Sequence, residues 1–261
     1  MVLTGHAPVS AKKHILEQLR CNLCGSVFTA APQDGIELMK YDDSVSVAIA
    51  LFKNYAGLPL KRLETLQDRV GVPLKDATQW GLMEGLADKI HPVYRHLEYL
   101  SAQGDTMYHD DTCVKILSLI KENKTLEEAQ RRGMFTTGVL SKYQGHTICL
   151  YLSGRNHSGE NMGKILSMRS GDLPPVIRMA DALSSNFTGD FIEYACKCLT
   201  HGRRKFVEIL EFFPESCQGV IKALKRIYKH DAITKEQQMY DQERLVYHQK
   251  HSAPIMESLK I

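Results

Sequence analysis

Two aspartates at the ends of apolar segments are the residues best suited to chemistry in this chain. Asp110 lies in the apolar segment 107–119, and Asp181 closes the segment 176–181. Carboxylates at the ends of buried strands suit a two-metal phosphoryl-transfer site, because Mg²⁺ prefers oxygen ligands and stabilises the attacking and leaving oxygens. Side chains alternate across a strand, so only one of Asp110 and Asp111 can face Asp181. Such sites usually contain a third acid, and no obvious third acid follows.

Two short cysteine motifs are the candidates for zinc. Cys21 and Cys24 have the Cys-x-x-Cys spacing of a zinc knuckle, but the sequence shows no second pair to complete a site. Cys198 and His201 have Cys-x-x-His spacing, which supplies half of a four-ligand site. We therefore expect a partial zinc site at the first motif and a structural role for the second.

Basic residues form two clusters that suit contacts with phosphate groups. The first cluster, Arg203, Arg204 and Lys205, follows His201 closely. The second recurs at helical spacing and consists of Lys222, Lys225, Arg226 and Lys229. Arginine and lysine both bind phosphate oxygens, so the clusters are candidate DNA contacts. A charged solvent face explains the second cluster equally well.

Hydrophobic patterns divide the chain into a helical part and a mixed part. Helices are predicted over 44–55, 60–70 and 75–101, with a break at Pro92, and together they resemble a helix-turn-helix region. Further on, strands are predicted over 107–119, 138–143, 147–152, 175–181 and 191–196, with a hairpin turn at Gln144-Gly145, a helix over 160–169 and more helices beyond His201.

This order of elements predicts an α/β fold with a ribonuclease-H-like mixed sheet. In such a sheet the first strand lies next to the fourth, which would bring Asp110 and Asp181 together. The predicted organisation is an irregular arm with the Cys-x-x-Cys motif, a helical and potentially DNA-binding region, a ribonuclease-H-like core and a truncated helical insertion. These regions cover residues 1–40, 41–103, 104–200 and 201–261 respectively.

Composition sets the broad class of the protein. Of its 261 residues, 43% are hydrophobic and 24% charged, which is typical of a globular chain. The net charge of +3 means that affinity for DNA must come from local patches. The sequence shows neither a membrane span nor a signal peptide, so we predict a cytoplasmic protein without a membrane partner. The odd count of seven scattered cysteines favours free thiols.

Several segments resemble DDE transposases of the insertion-sequence sixty-six family. The most specific is 198–206, Cys-Leu-Thr-His-Gly-Arg-Arg-Lys-Phe, which is close to the family's Cys-Trp-Ala-His-Ala-Arg-Arg-Lys-Phe. Residues 109–114 resemble the family's Ala-Asp-Glu-Thr-Pro-Val, which places Asp110 on its first catalytic aspartate. Residues 179–181 resemble the segment that carries the second, here Asp181. The resemblance extends from about residue 20 to the C-terminus.

The resemblance implies an activity, a cofactor and partners. Asp110 and Asp181 would bind two Mg²⁺ ions, with water first attacking a phosphodiester bond at an element end. The freed 3′-hydroxyl would then attack target DNA. The implied partners are element-end DNA, target DNA, and further copies of the chain or intact transposase subunits. The resemblance also implies that Cys198 and His201 support the active site structurally.

The chain departs from the family pattern in one way that concerns activity. The family's third acid is a glutamate in an Asn-Asn-x-x-Glu-Arg segment beyond a Ser-x-Pro motif, and this sequence ends at Ile261 before such a segment. We therefore expect an incomplete and inactive transposase fragment. The alternatives are a catalytically dead DNA-binding or regulatory remnant, and a metal-dependent nuclease with another third acid. The acids considered for that position are Glu193, Glu208, Glu211 and Asp231.

Overall fold

The structure is a computed structural model that describes residues 8–31, 39–127, 130–187, 189 and 191–259. The chain divides into two compact units, residues 1–94 and 95–261. Among the described helices, none combines the length and apolar composition that a membrane span requires. All seven cysteines are free thiols.

The first unit begins with a short hairpin around the Cys-x-x-Cys motif. Strands β1 (Gln18–Arg20) and β2 (Val27–Thr29) pair in antiparallel fashion. The sequence predicts an irregular arm over this region, so the hairpin is a difference from that expectation. Each strand has only three residues, which is too short for a hydrophobic pattern of period two to be recognised.

The remainder of the first unit is helical. Its elements are α1 (Asp43–Ala50), a π-helical turn (Leu51–Tyr55), α2 (Leu60–Arg69) and the start of α3 (Asp76–Ala102). Asp42 caps α1 by accepting a hydrogen bond of 2.8 Å from the Ser44 backbone N–H. The apolar faces of these helices pack around the buried side chains of Ile49, Leu63 and Leu74.

The break predicted at Pro92 does not occur, and that prediction is wrong. Helix α3 continues through Pro92 as a single element of 27 residues. Proline removes one backbone donor and therefore frees the carbonyl of Asp88 one turn earlier. Because Pro92 lies on an exposed part of the helix, water can satisfy that carbonyl and the helix continues.

The second unit is built on a five-stranded mixed sheet. Its strands are β3 (Thr106–Cys113), β4 (Phe135–Tyr143), β5 (His146–Gly154), β6 (Val176–Ala180) and β7 (Glu193–Lys197). The order across the sheet is β5-β4-β3-β6-β7, so the first strand of this sheet lies beside the fourth. Strand β3 pairs with β4 in antiparallel fashion and with β6 in parallel.

Local turn chemistry explains the hairpin between β4 and β5. Gln144 and Gly145 have φ of 47° and 79°, the left-handed pair of values that a two-residue hairpin turn requires. The predicted turn at this position is confirmed. The strand predicted over 107–119 is shorter than expected, because β4 begins at Phe135 opposite Cys113 and offers no partner beyond it. Residues after Cys113 lead instead into helix α4 (Leu117–Glu122).

Helix α5 (Ser158–Leu166) packs on one face of the sheet and makes that face the core. It contributes Met162, Ile165 and Leu166, and the strands contribute Met107, Val139, Leu150 and Val176, all of them buried. The opposite face carries exposed side chains of Tyr108, Asp110 and Tyr151. The remaining helices are α6 (Leu199–Glu208), α7 (Pro214–Glu236), α8 (Asp241–His251) and α9 (Ala253–Ser258).

Two glycines of α5 provide a matched test of its packing. A Cβ at Gly159 would lie 1.9 Å from the carbonyl oxygen of Ser185, whereas a Cβ at Gly163 would meet nothing within 4 Å. We expect Gly159→Ala to lower the free energy of unfolding by about 1–3 kcal/mol through overpacking. Gly163→Ala should raise it by about 0.5–1 kcal/mol, because alanine favours the helix. Urea unfolding of both variants measures the difference, and equal effects would contradict this packing.

Candidate active site

The two aspartates singled out in the sequence lie at the same edge of the sheet. In the parallel pairing of β3 with β6, Tyr108 aligns with Met179. Asp110 lies two residues beyond Tyr108 on β3, and Asp181 lies two residues beyond Met179, directly after the end of β6. Both side chains line one cavity of about 290 Å³ on the open face of the sheet. Other residues that line it are Gly138, Leu140, Cys149, Tyr151, Cys198 and His201.

Asp110 faces this cavity and Asp111 faces the core. The Asp110 side chain is 62% exposed, and its Oδ2 lies 3.7 Å from Nε2 of His201. Asp111 instead accepts hydrogen bonds from the Thr137 hydroxyl at 2.7 Å and the Ser158 backbone N–H at 2.8 Å. A carboxylate at the N-terminus of α5 also interacts favourably with the helix dipole. Asp111 therefore links the N-terminus of α5 to β3. Of the two carboxylates, that of Asp110 is the one accessible to a ligand.

Asp181 follows the last residue of β6, and one of its two oxygens is held by neighbouring donors. Oδ1 accepts hydrogen bonds from the Leu183 backbone N–H at 3.2 Å and from the side-chain amide of Asn186. Across the residues described, no donor contacts Oδ2. Asp181 therefore has one carboxylate oxygen without a described donor, and the residue lines the cavity that it shares with Asp110.

The Cys-x-x-His motif places His201 in the same cavity. The Cys198 backbone N–H donates a hydrogen bond of 2.7 Å to the carbonyl of Ala180, which joins the start of α6 to the end of β6. His201 lies one turn into α6 and faces Asp110. At 3.7 Å the two side chains are too far apart for a hydrogen bond but close enough for a charged pair when the imidazole is protonated.

None of the other acids considered joins this pair in the described part of the chain. Glu193 aligns with Val176 at the opposite end of β6 from Asp181, and it forms an ion pair with Arg178. Two of the remaining acids have basic neighbours elsewhere: Glu208 pairs with Lys205, and Asp231 pairs with Lys235 and Arg244. Within the described ranges, no group of three or more histidine, cysteine or acidic side chains is arranged to hold a metal ion.

The Cys21–Cys24 motif forms a knuckle in the hairpin of the first unit. Backbone hydrogen bonds from Cys21 to Ser26 and from Gly25 to Cys21 close the turn at 2.8 and 2.9 Å. Hydrogen bonding with Ser26 lowers the pKa of the Cys24 thiol to about 7, which favours the thiolate form that binds metals. The two sulfurs are the only ligand candidates that the described part of the chain places in this turn.

The basic residues of α6 and α7 are exposed. Arg203 and Arg204 are free of ion pairs with any described acid, whereas Lys205 shares its charge with Glu208 at 2.9 Å. The α7 residues Lys222, Lys225, Arg226 and Lys229 are likewise accessible to solvent. A contact of 3.2 Å between the hydroxyls of Thr200 and Tyr228 joins α6 to α7 close to His201.

Sequence reasoning missed a buried charged group directly behind Asp110. His109 is 4% exposed and Arg178 is 1% exposed, and both lie on the α5 face of the sheet. Arg178 donates to Glu193 at 2.6 Å and to the backbone carbonyl of Asn186 at 2.8 Å. Burial, followed by the positive charge of Arg178, lowers the pKa of His109 to about 4. The sequence does contain a signal for this buried group, because Arg178 is a charged residue within the otherwise apolar segment Val176–Ala180.

Comparison with known proteins identifies the family of this chain. A family model described as the transposase IS66 family matches residues 40–261. The chain therefore belongs to the IS66 family of transposases, and the family named from the sequence motifs is confirmed. The comparison with curated proteins and the comparison with solved structures each gave no significant match.

The low pKa of His109 predicts a pH-dependent stability. Between pH 6.5 and pH 4 the unfolded chain binds a proton at this site and the folded chain does not, so stability falls as the pH falls. From pH 7 to pH 4.5 the loss due to this group is about 2–3 kcal/mol. His109→Phe keeps an aromatic ring and removes the titration, so urea unfolding should show a smaller loss in the variant. Equal losses in both proteins would contradict a buried neutral His109.

Proposed function

We propose that this chain carries two of the metal-binding carboxylates of a DDE transposase, with Asp110 and Asp181 as the ligands. The observation that carries the proposal is that Asp110, on β3, and Asp181, directly after the neighbouring parallel strand β6, line one cavity. Membership of the IS66 transposase family supplies the reaction class, the cleavage and joining of DNA strands. The family also implies the use of a divalent metal and of DNA as substrate.

The strand order supports a ribonuclease-H-like core as the fold of the second unit. Three antiparallel strands are followed by a helix and by two parallel strands, and the first strand lies beside the fourth. Asp110 on the first strand and Asp181 directly after the fourth therefore line the same cavity despite their separation in sequence. The proposed helix-turn-helix character of 41–103 has weaker support, which comes from the succession of α1, α2 and α3.

The two carboxylates fit a hard divalent cation such as Mg²⁺. Asp110 is largely exposed, and Asp181 has one oxygen without a described donor, so both can offer oxygen ligands. When bound, such an ion stabilises negative charge on a reacting phosphate and lowers the pKa of water. His201 lies next to Asp110, where it can contact a phosphate oxygen of bound DNA. Arg203 and Arg204 project from the same helix and suit the DNA backbone.

We propose further that the chain alone neither cleaves nor joins DNA. The described residues bring two acids to the cavity, and sites of this type use a third. A second candidate function follows from the exposed basic residues of α6, which can bind DNA without catalysis. Such a protein would occupy element ends or associate with intact transposase subunits. A partial zinc site at Cys21 and Cys24 is compatible with both functions.

A plasmid assay tests the incomplete site. Purified chain incubated with supercoiled plasmid and Mg²⁺ or Mn²⁺ should give no nicking above that of the Asp110→Ala variant, because two carboxylates do not complete the ligand set. Nicked product is measured on agarose gels. Metal-dependent nicking that disappears in Asp110→Ala would refute the proposed inactivity and favour an active nuclease or transposase.

Salt dependence tests the DNA surface of α6. Removing one phosphate-binding charge should reduce the slope of log affinity against log salt by about 0.9. We therefore expect Arg203→Gln with Arg204→Gln to weaken DNA binding and reduce the slope by about 2, as measured by fluorescence anisotropy. Lys121→Gln with Lys124→Gln removes the same charge from a segment elsewhere in the second unit and is the matched control. Equal effects of the two double variants would show a general charge effect and contradict a defined α6 surface.

A further inference from the structure

The orientation of the Asp181 carboxylate depends on groups outside the sheet. Asp181 lies one residue beyond β6, so strand pairing does not fix its side chain. Its Oδ1 accepts the Asn186 side-chain amide and, at 3.2 Å, the Leu183 backbone N–H. The turn Ser184–Asn186 therefore holds one oxygen of the Asp181 carboxylate at the edge of the cavity that Asp181 and Asp110 both line.

The Asn186 amide is itself held in one orientation. Asn186 is buried, and its Oδ1 accepts a hydrogen bond of 2.5 Å from the Ser158 hydroxyl. An asparagine amide has one acceptor oxygen and one donor nitrogen, so acceptance from Ser158 leaves the NH₂ group facing Asp181. The opposite orientation would place the amide oxygen against a carboxylate oxygen. The Asn186 backbone is also fixed, because Arg178 donates to its carbonyl at 2.8 Å.

Ser158 connects this turn to the strand that carries Asp110. Its backbone N–H donates to Asp111 at 2.8 Å, and Asp111 in turn donates its own N–H to Oδ1 of Asp110 at 2.9 Å. The close approach of Gly159 to Ser185 packs the same end of α5 against the turn. A continuous series of hydrogen bonds therefore runs from Asp110 through the N-terminus of α5 to Asp181.

We propose that Asn186 is a positioning residue for Asp181 and that Ser158 acts through Asn186. The proposal rests on the proposed function, in which Asp110 and Asp181 bind a divalent cation. Asn186 occupies one carboxylate oxygen of Asp181, which restricts rotation of the carboxylate and leaves the other oxygen free for a cation. Groups that orient metal ligands in this way typically change metal affinity by about 10–100-fold.

A Mn²⁺-binding experiment on the full chain tests the proposal. The electron paramagnetic resonance signal of free Mn²⁺ measures how much of the ion is bound. Asn186→Ala should weaken binding about tenfold, with the thermal unfolding midpoint recorded alongside. Ser158→Ala should cause a smaller loss of Mn²⁺ affinity, because the Asn186 amide remains but can then rotate. In the double variant the loss should equal that of Asn186→Ala alone, because Ser158 acts only through the amide. Ser184→Ala, in the exposed part of the same turn, is the matched control and should bind as the original chain does.

The outcomes separate this proposal from the proposed function. Unchanged affinity in Asn186→Ala, or additive losses in the double variant, would overturn the positioning role. If Asn186→Ala does not fold, unchanged affinity in Ser158→Ala would overturn it. Binding that survives both Asp110→Asn and Asp181→Asn would refute the metal site itself. In that case a second measurement tests the positioning role. The NH₂ protons of Asn186 should exchange slowly in nuclear magnetic resonance spectra of the original chain and faster in Asp181→Ala. Equal exchange rates in the two proteins would overturn the hydrogen bond between Asn186 and Asp181.

Discussion

The parallel pairing of β3 with β6 is the constraint on which the candidate site depends. Asp110 and Asp181 are distant in sequence, and only the adjacency of these two strands brings them to one cavity. A parallel pair needs a long crossover connection, and here that connection contains the β4–β5 hairpin and helix α5. The hairpin and the helix between the two aspartates in sequence therefore complete the sheet in which β3 and β6 are neighbours.

The two faces of the sheet differ because helix α5, in the connection between β3 and β6, covers only one of them. Helix α5 covers one face with apolar side chains and with the Asp111 and Ser158 contacts that fix its N-terminus. The other face leaves Asp110 and the two tyrosines, Tyr108 and Tyr151, accessible. A long charged substrate such as DNA requires an open approach, whereas metal ligands require rigid support. In the function proposed above, the open face meets the first requirement and the α5 face meets the second.

Local features of the fold could be predicted from the sequence, and features set by distant partners could not. The Gln144-Gly145 turn can be predicted because Gly145 adopts the left-handed backbone angles that such a turn requires without steric cost. The length of β3 was misjudged because its end is set by where β4 begins. The aspartate pair is predicted from its place in apolar segments and from family motifs, and the family is confirmed over residues 40–261. Asn186 carries no such motif, because its importance arises only where α5 meets the turn.

The buried pair of Arg178 and Glu193 has a consequence for the accuracy of strand assembly. A β6 strand shifted by one residue would turn Arg178 to the open face and leave the carboxylate of Glu193 in the core without its partner. Separating a buried ion pair in this way costs about 3–5 kcal/mol. Misaligned sheets are therefore penalised by a charge on the opposite face of the sheet from the cavity, and this penalty protects the pairing of β3 with β6.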